Sequence, residues 1–149
     1  MCESEVRRNG YLLKLVPDEL KTKEMCELAV RQYGDAIETV HDKLKTKEIY
    51  EITVIYSGYV LRNVPDKFKT IEMCEFAVRH NCYMLKYVPD ELKTKVMYEL
   101  AVSQDGRELR YVPDKFKTKE LCELAVRYDR RALQYVPEEL KTTSMPVKY

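Results

Sequence analysis

The sequence predicts an all-α fold, an α-solenoid of six 24-residue two-helix repeats, and three observations carry that prediction. Val16, Val40, Val64, Val88, Val112 and Val136 stand 24 apart without insertion, each followed by Pro or His, then an acidic residue, and two positions later Leu or Phe. Lys21, Lys45, Lys69, Lys93, Lys117 and Lys141 recur in the same register, each followed by Thr, as do Glu3, Glu27, Glu51, Glu75, Glu99 and Glu123. Within each copy the apolar residues fall at helical spacing, interrupted at a fixed place. A fixed period of this length is the mark of a stacked repeat, in which each unit buries its apolar face only against its neighbours. The copies are residues 1–24, 25–48, 49–72, 73–96, 97–120 and 121–144, read as one domain with a tail at 145–149.

Residues 22–45 serve to justify the elements in order. Thr22 is an N-cap and Glu24 sits in the first turn, where the helix dipole favours a carboxylate, so a helix starts near Lys23. Met25, Leu28, Ala29 and Gln32 follow the i, i+3, i+4, i+7 spacing, and Cys26 and Val30 widen the apolar face, as suits a helix packed between two neighbours. Gly34, like Gly10, Gly58 and Gly106, is placed to end this helix of about ten residues as a left-handed C′ residue. Asp35 to Lys45 puts Ala36, Ile37, Val40 and Leu44 on one side and reads as a short second helix running back across the first. Pro follows the Val in five copies and breaks or kinks that helix, whereas His41 lets the second copy run straight.

Two features compete with this reading. Met25, Leu28 and Val30 match the spacing of a leucine-rich repeat, but the Glu, Ala and Met content and the lack of a regular Asn argue for helix. Ile49 to Tyr59 is rich in β-branched and aromatic residues that favour strand, yet its register in the repeat makes it helix.

The pattern G-x-A-L-x-Y-V-P-E-E-L-K-T-x-E-x-C-x-x-A-V, read at Cys82 to Val102 and at Gly106 to Val126, resembles the family of domain of unknown function 4116. The resemblance covers the whole chain, with His41 in the second copy as a departure. It implies an α-helical array and an origin among giant DNA viruses or intracellular bacteria. It implies no reaction, ligand or functional residue.

Composition narrows the function. Lys and Arg number 26 against 25 Asp and Glu, and each copy carries between −1 and +1, so the basic surplus on which phosphate binding depends is missing. The first residues lack the apolar region of a signal peptide, and no stretch approaches the roughly 18 apolar residues of a membrane span. Five cysteines without CxxC spacing suit a reducing interior, so the expected location is intracellular and cytoplasmic, the host cytoplasm for a viral protein. Cys2, Cys26, Cys74 and Cys122 share a column with Tyr50 and Tyr98, which marks a packing position rather than a zinc site. His41 and His80, the two histidines, belong to no acid/base or nucleophile motif. The expectation is no enzyme, no metal and no cofactor.

What remains is a binding surface. Ile55 stands where other copies mostly carry Arg, Ile71 where they carry Lys, and Val96 where they carry Glu, so Ile55, Tyr56, Ile71 and Val96 form a candidate apolar patch. Tyr87, Tyr111 and Tyr135 form a second candidate column beside Lys86 and Arg110, and Tyr11, Tyr59 and Tyr83 a further tyrosine column. The recurrent Glu lies four before Arg at Glu3, Glu27, Glu75 and Glu123, a pairing worth about 0.3 to 0.5 kcal/mol when exposed. Ser4 and Glu5 replace apolar or small residues and read as a polar cap on the first helix, while Met145 to Tyr149 is a short cover for the last interface that invites end-to-end association. The expected function is a non-enzymatic protein-binding scaffold. The alternatives are a self-associating structural element and, behind it, a nucleic-acid-binding solenoid.

Overall fold

A computed structural model describes residues 3–141 and Met145; Cys2 and residues 146–149 of the tail lie outside the described residues. The chain is an all-α array of repeats, and among the described residues there is no strand, which removes the leucine-rich-repeat alternative. It divides into two compact units, Met1–Phe76 and Ala77–Tyr149.

The α-helices are α1 (Glu3–Arg8), α2 (Lys23–Gln32), α3 (Lys47–Tyr56), α4 (Ile71–His80), α5 (Lys95–Gln104) and α6 (Lys119–Tyr128). Start and length agree with the sequence pattern, including the strand-like third copy, because a register shared with five neighbours outweighs local propensity. Thr22, Thr70, Thr94 and Thr118 accept the backbone N–H three residues on, each at 3.2 Å. Thr118→Ala is therefore expected to cost about 1 kcal/mol, read as a lower urea midpoint at unchanged slope.

The second half of each copy is 3₁₀ rather than α. In the second copy Gly34–Thr39 and Asp42–Leu44 are separate 3₁₀ turns, and in the fifth copy Gly106–Tyr111 and Asp114–Phe116 repeat the arrangement. The cause is length. A ten-residue α-helix spans about 15 Å at about 1.5 Å per residue. The return leg must recover most of that within a 24-residue period, and six 3₁₀ residues at about 2 Å each cover about 12 Å where α would cover about 9 Å.

The expectation that the second copy runs straight is wrong. Val40 has φ −72 and ψ 131 and His41 φ −63 and ψ 140, the geometry that Val16 and Pro17 adopt in the first copy. The break belongs to the buried valine column, all six members of which are 3–4% exposed, and not to proline. His41 caps the following turn itself, its Nδ1 accepting the Lys43 N–H at 3.2 Å.

The expected left-handed glycines are also corrected, since none of the described glycines has positive φ. Each begins a 3₁₀ turn, and Gly10, Gly34 and Gly106 do so at a close approach. A Cβ on Gly34 would lie 2.2 Å from the Ser57 Cβ, and one on Gly106 would lie 2.0 Å from the Ala125 carbonyl oxygen. The α-helices end instead one residue earlier, in extended backbone, with Asn9, Asn81, Asp105 and Asp129 accepting the N–H two residues on.

Each unit has its own core, built from the same columns. Leu13, Val30, Val54, Val60 and Leu61 are fully buried in the first unit, and Leu85, Met97, Val102 and Leu109 in the second. Each contributes roughly 1.5–3 kcal/mol relative to exposure. In the Cys/Tyr column Tyr50 packs on Phe68 at 5.4 Å between ring centroids and Tyr98 on Phe116 at 5.3 Å, while Cys26, Cys74 and Cys122 are buried free thiols. Ser4 and Glu5 are exposed, as a polar cap requires, whereas Ala29, Thr53, Ala101 and Ala125 in the Glu5 column are buried. Met145 is buried and occupies the column of Met25 and Met97, so the last copy has apolar cover at that position.

Polar residues join successive copies. Gln32 accepts the Gly10 N–H at 2.9 Å and donates to the Arg7 carbonyl at 2.8 Å, and Gln104 does the same for Cys82 and for Val78 and Arg79. The lysine column is largely buried and pairs with the acid three residues before it, as Lys21 with Asp18 at 2.6 Å and Lys93 with Asp90 at 2.7 Å. Lys21 also reaches the Thr39 carbonyl of the next copy at 2.6 Å. Hydrogen bonding from these lysines holds the Asp18 and Asp90 carboxyls below their ordinary value.

Candidate partner-binding grooves

Among the described residues, the helix face carries a groove in each unit. In Met1–Phe76 a groove of about 430 Å³ runs between α3 and the start of α4, floored by Val54, Ile55, Met73 and Phe76 and rimmed by Lys47, Glu51 and Glu72. In Ala77–Tyr149 a larger one of about 790 Å³ lies between α5 and α6, floored by Val96, Leu100, Leu121 and Leu124 and rimmed by Lys95, Glu99, Glu120, Glu123 and Arg127. Lys47, Glu51, Ile55, Glu72, Met73 and Phe76 line the first, and Lys95, Glu99, Ser103, Glu120, Leu121 and Leu124, each 48 positions on, line the second. They are the same site displayed twice.

Local chemistry explains the rims. Lys47 meets Glu51 at 3.5 Å and Lys95 meets Glu99 at 3.5 Å, one helical turn apart. Glu72 and Glu120 lie in the first turns of α4 and α6, where their own backbone N–H groups and the capping Thr70 and Thr118 hydroxyls hold both carboxyls below the ordinary value. The Glu–Arg column anticipated from sequence closes at Glu3–Arg7, 3.1 Å, and at Glu27–Arg31, 3.9 Å, whereas Glu123 meets Lys119 at 4.0 Å.

The four patch candidates do not share one surface environment. Ile55, 57% exposed, opens into the first groove and Val96, 46% exposed, into the second. Tyr56 is exposed but committed to α2, with Arg31 donating to its hydroxyl at 3.3 Å and lying 5.6 Å from its ring centroid. Ile71 is exposed at the start of α4 and lines neither groove. The second candidate column lies on the 3₁₀ side: Tyr87 is half-buried with Lys86 over it at 4.9 Å, Tyr111 is exposed with Arg110 over it at 4.6 Å, and Tyr135 is half-buried. The Tyr87 and Tyr111 rings already hold their cations. In the other tyrosine column, Tyr11 stacks on Tyr33 at 3.9 Å and Tyr83 donates to Asp105 at 3.3 Å, so it clasps neighbouring copies.

Sequence reading missed the groove itself. The available signal was a comparison at 48 rather than 24, which sets Ile55 against Ser103 and Val96 against Glu48, an apolar residue against a polar one in both cases. It also missed Glu108, fully buried in a column otherwise filled by Leu12, Ala36, Val60, Met84 and Ala132. Among the described residues no three His, Cys, Asp or Glu converge as a metal site, and no helix is long and apolar enough to cross a membrane.

The family described as Domain of unknown function (DUF4116) matches the chain three times in tandem, at residues 6–45, 46–93 and 97–141. Each match spans about two of the 24-residue copies, the same double unit at which the groove recurs. No curated protein and no solved structure matches the chain.

Proposed function

The chain belongs to the family described as Domain of unknown function (DUF4116), and from that premise we propose that it is a non-enzymatic repeat scaffold that binds another protein, in the cell interior and in the host cytoplasm if viral. The observation that carries this reading is the pair of equivalent grooves, each with an apolar side chain left exposed where the repeat elsewhere carries a charge: Ile55 in the Arg column and Val96 in the Glu column. Water-facing apolar positions rimmed by paired charges are what a protein partner covers. Helix-flanked grooves of this kind take up side chains of a partner segment without any chemical step.

Ile55→Arg and Val96→Glu restore the residues that most other copies use, so the variant carrying both keeps the fold and fills the grooves with charge. Circular dichroism is expected to show equal helicity. Pull-downs from source-cell lysate, compared by mass spectrometry, are expected to retain a protein on the wild-type chain that the variant loses. An identical protein set on both chains would overturn the reading.

A further inference from the structure

Glu108 is a buried carboxylic acid in an otherwise apolar column, 1% exposed at its side chain, on the 3₁₀ segment Gly106–Tyr111. Its Oε1 stands 3.4 Å from an Arg110 nitrogen and its Oε2 is buried with no hydrogen-bond partner. Arg110 is divided between two groups, since it also covers the Tyr111 ring. A buried carboxyl with one long contact is tolerated as the neutral acid and opposed as the anion.

We propose that Glu108 makes the Gly106–Tyr111 segment a pH-sensitive latch, closed while the carboxyl keeps its proton and opened when the proton passes to solvent and the carboxylate must reach water. The surroundings agree. On its own segment the charges are Arg110 and Arg107, and Arg107 is held by Asp105 at 2.8 Å and Asp129 at 3.3 Å. From Cys82–Tyr87 the facing ionisable group is the Cys82 thiol, and from the end of α5 it is Asp105, whose charge opposes ionisation of Glu108. Behind α6 and in Arg130–Tyr135 stand Asp129 and Arg131, paired with each other at 2.8 Å, and Tyr135, whose influence falls on Arg110. Burial pushes the Glu108 carboxyl above its ordinary value of 4.5 against the pull of Arg110. A raised folded-state value means that the closed segment is fully favoured below the ordinary value and loses that advantage as pH rises through the raised one. The same segment packs on both α5 and α6, the walls of the Val96 groove, so opening it loosens that groove whatever occupies it.

Hydrogen exchange read by mass spectrometry, corrected for intrinsic exchange, tests this on the full chain from about pH 5 to about pH 8, the range above the ordinary carboxyl value. Opening of residues 106–111 is expected to increase by up to about tenfold per pH unit between the ordinary carboxyl value and the raised folded-state one, and to level off above it. Residues 34–39, where Ala36 holds the same column, are expected to stay flat. Glu108→Met, the residue of the fourth copy, and Glu108→Gln, which keeps the polar shape without a titrating proton, are both expected to abolish the slope. A flat wild-type profile overturns the latch, and so does a slope that survives either substitution.

Discussion

Replacing Tyr98 by Cys is expected to lower the stability of the chain by about 3 kcal/mol, since a buried aromatic ring is removed and its partner keeps its place. The physical basis is a size match between two columns. Tyr98 packs on Phe116 and Tyr50 on Phe68, whereas the copies that carry Cys26, Cys74 and Cys122 carry Leu44, Leu92 and Leu140 at the partner position. A large ring is paired with a large ring and a small thiol with a smaller side chain. Phe116→Leu alone is expected to cost about 1 kcal/mol, and the double substitution recreates the Cys/Leu pair found in the other copies. Its cost is expected to fall short of the sum of the singles by about 0.5–1.5 kcal/mol, the range for coupled ring pairs. Urea titration of the four proteins checks the cycle, and costs that add within about 0.3 kcal/mol would show that the rings share no site.

Gly106→Ala is expected to cost about 3 kcal/mol, at the upper end for overpacking. The added methyl would stand 2.0 Å from the Ala125 carbonyl oxygen and 3.0 Å from the Asp129 nitrogen, both backbone atoms that yield only if the copies move apart. Gly10→Ala is expected to cost less, because its methyl would approach the Ala29 Cα at 2.9 Å. Gly106→Asn discriminates between the two roles a glycine can have here. A left-handed cap tolerates Asn, and a close approach does not. Asn at this position is therefore expected to destabilise at least as much as Ala, and a chain as stable as wild type would restore the capping role. Cys82, in the same column and 5% exposed, shows that the step between the fourth and fifth copies does admit a side chain.

Much of this architecture was legible one copy at a time. Thr22, Glu24, Met25, Ala29 and Val30 announce a helix through capping, dipole and periodicity, all of which act within one or two turns, and α2 begins and ends accordingly. The 24-residue register even settled the strand-like third copy. The candidate site was half legible. Ile55 and Val96 stood out as breaks in polar columns, but nothing in a column says that Tyr56 turns to Arg31 or that Ile71 falls outside the groove. Those outcomes depend on side chains 24 or more residues away.

The sequence by itself determined the fold class, the repeat length, the α-helices with their caps and the two exposed apolar positions, because each rests on local hydrogen bonding and on a pattern repeated six times. Only the tertiary structure decided that the return leg is 3₁₀, that the chain turns at His41 as it does at proline, and that Gly10, Gly34 and Gly106 are there for clearance. It also decided that Glu108 is buried with an orphaned oxygen. These features are set by how closely one copy must approach the next, a distance that depends on packing between copies and that no single copy encodes.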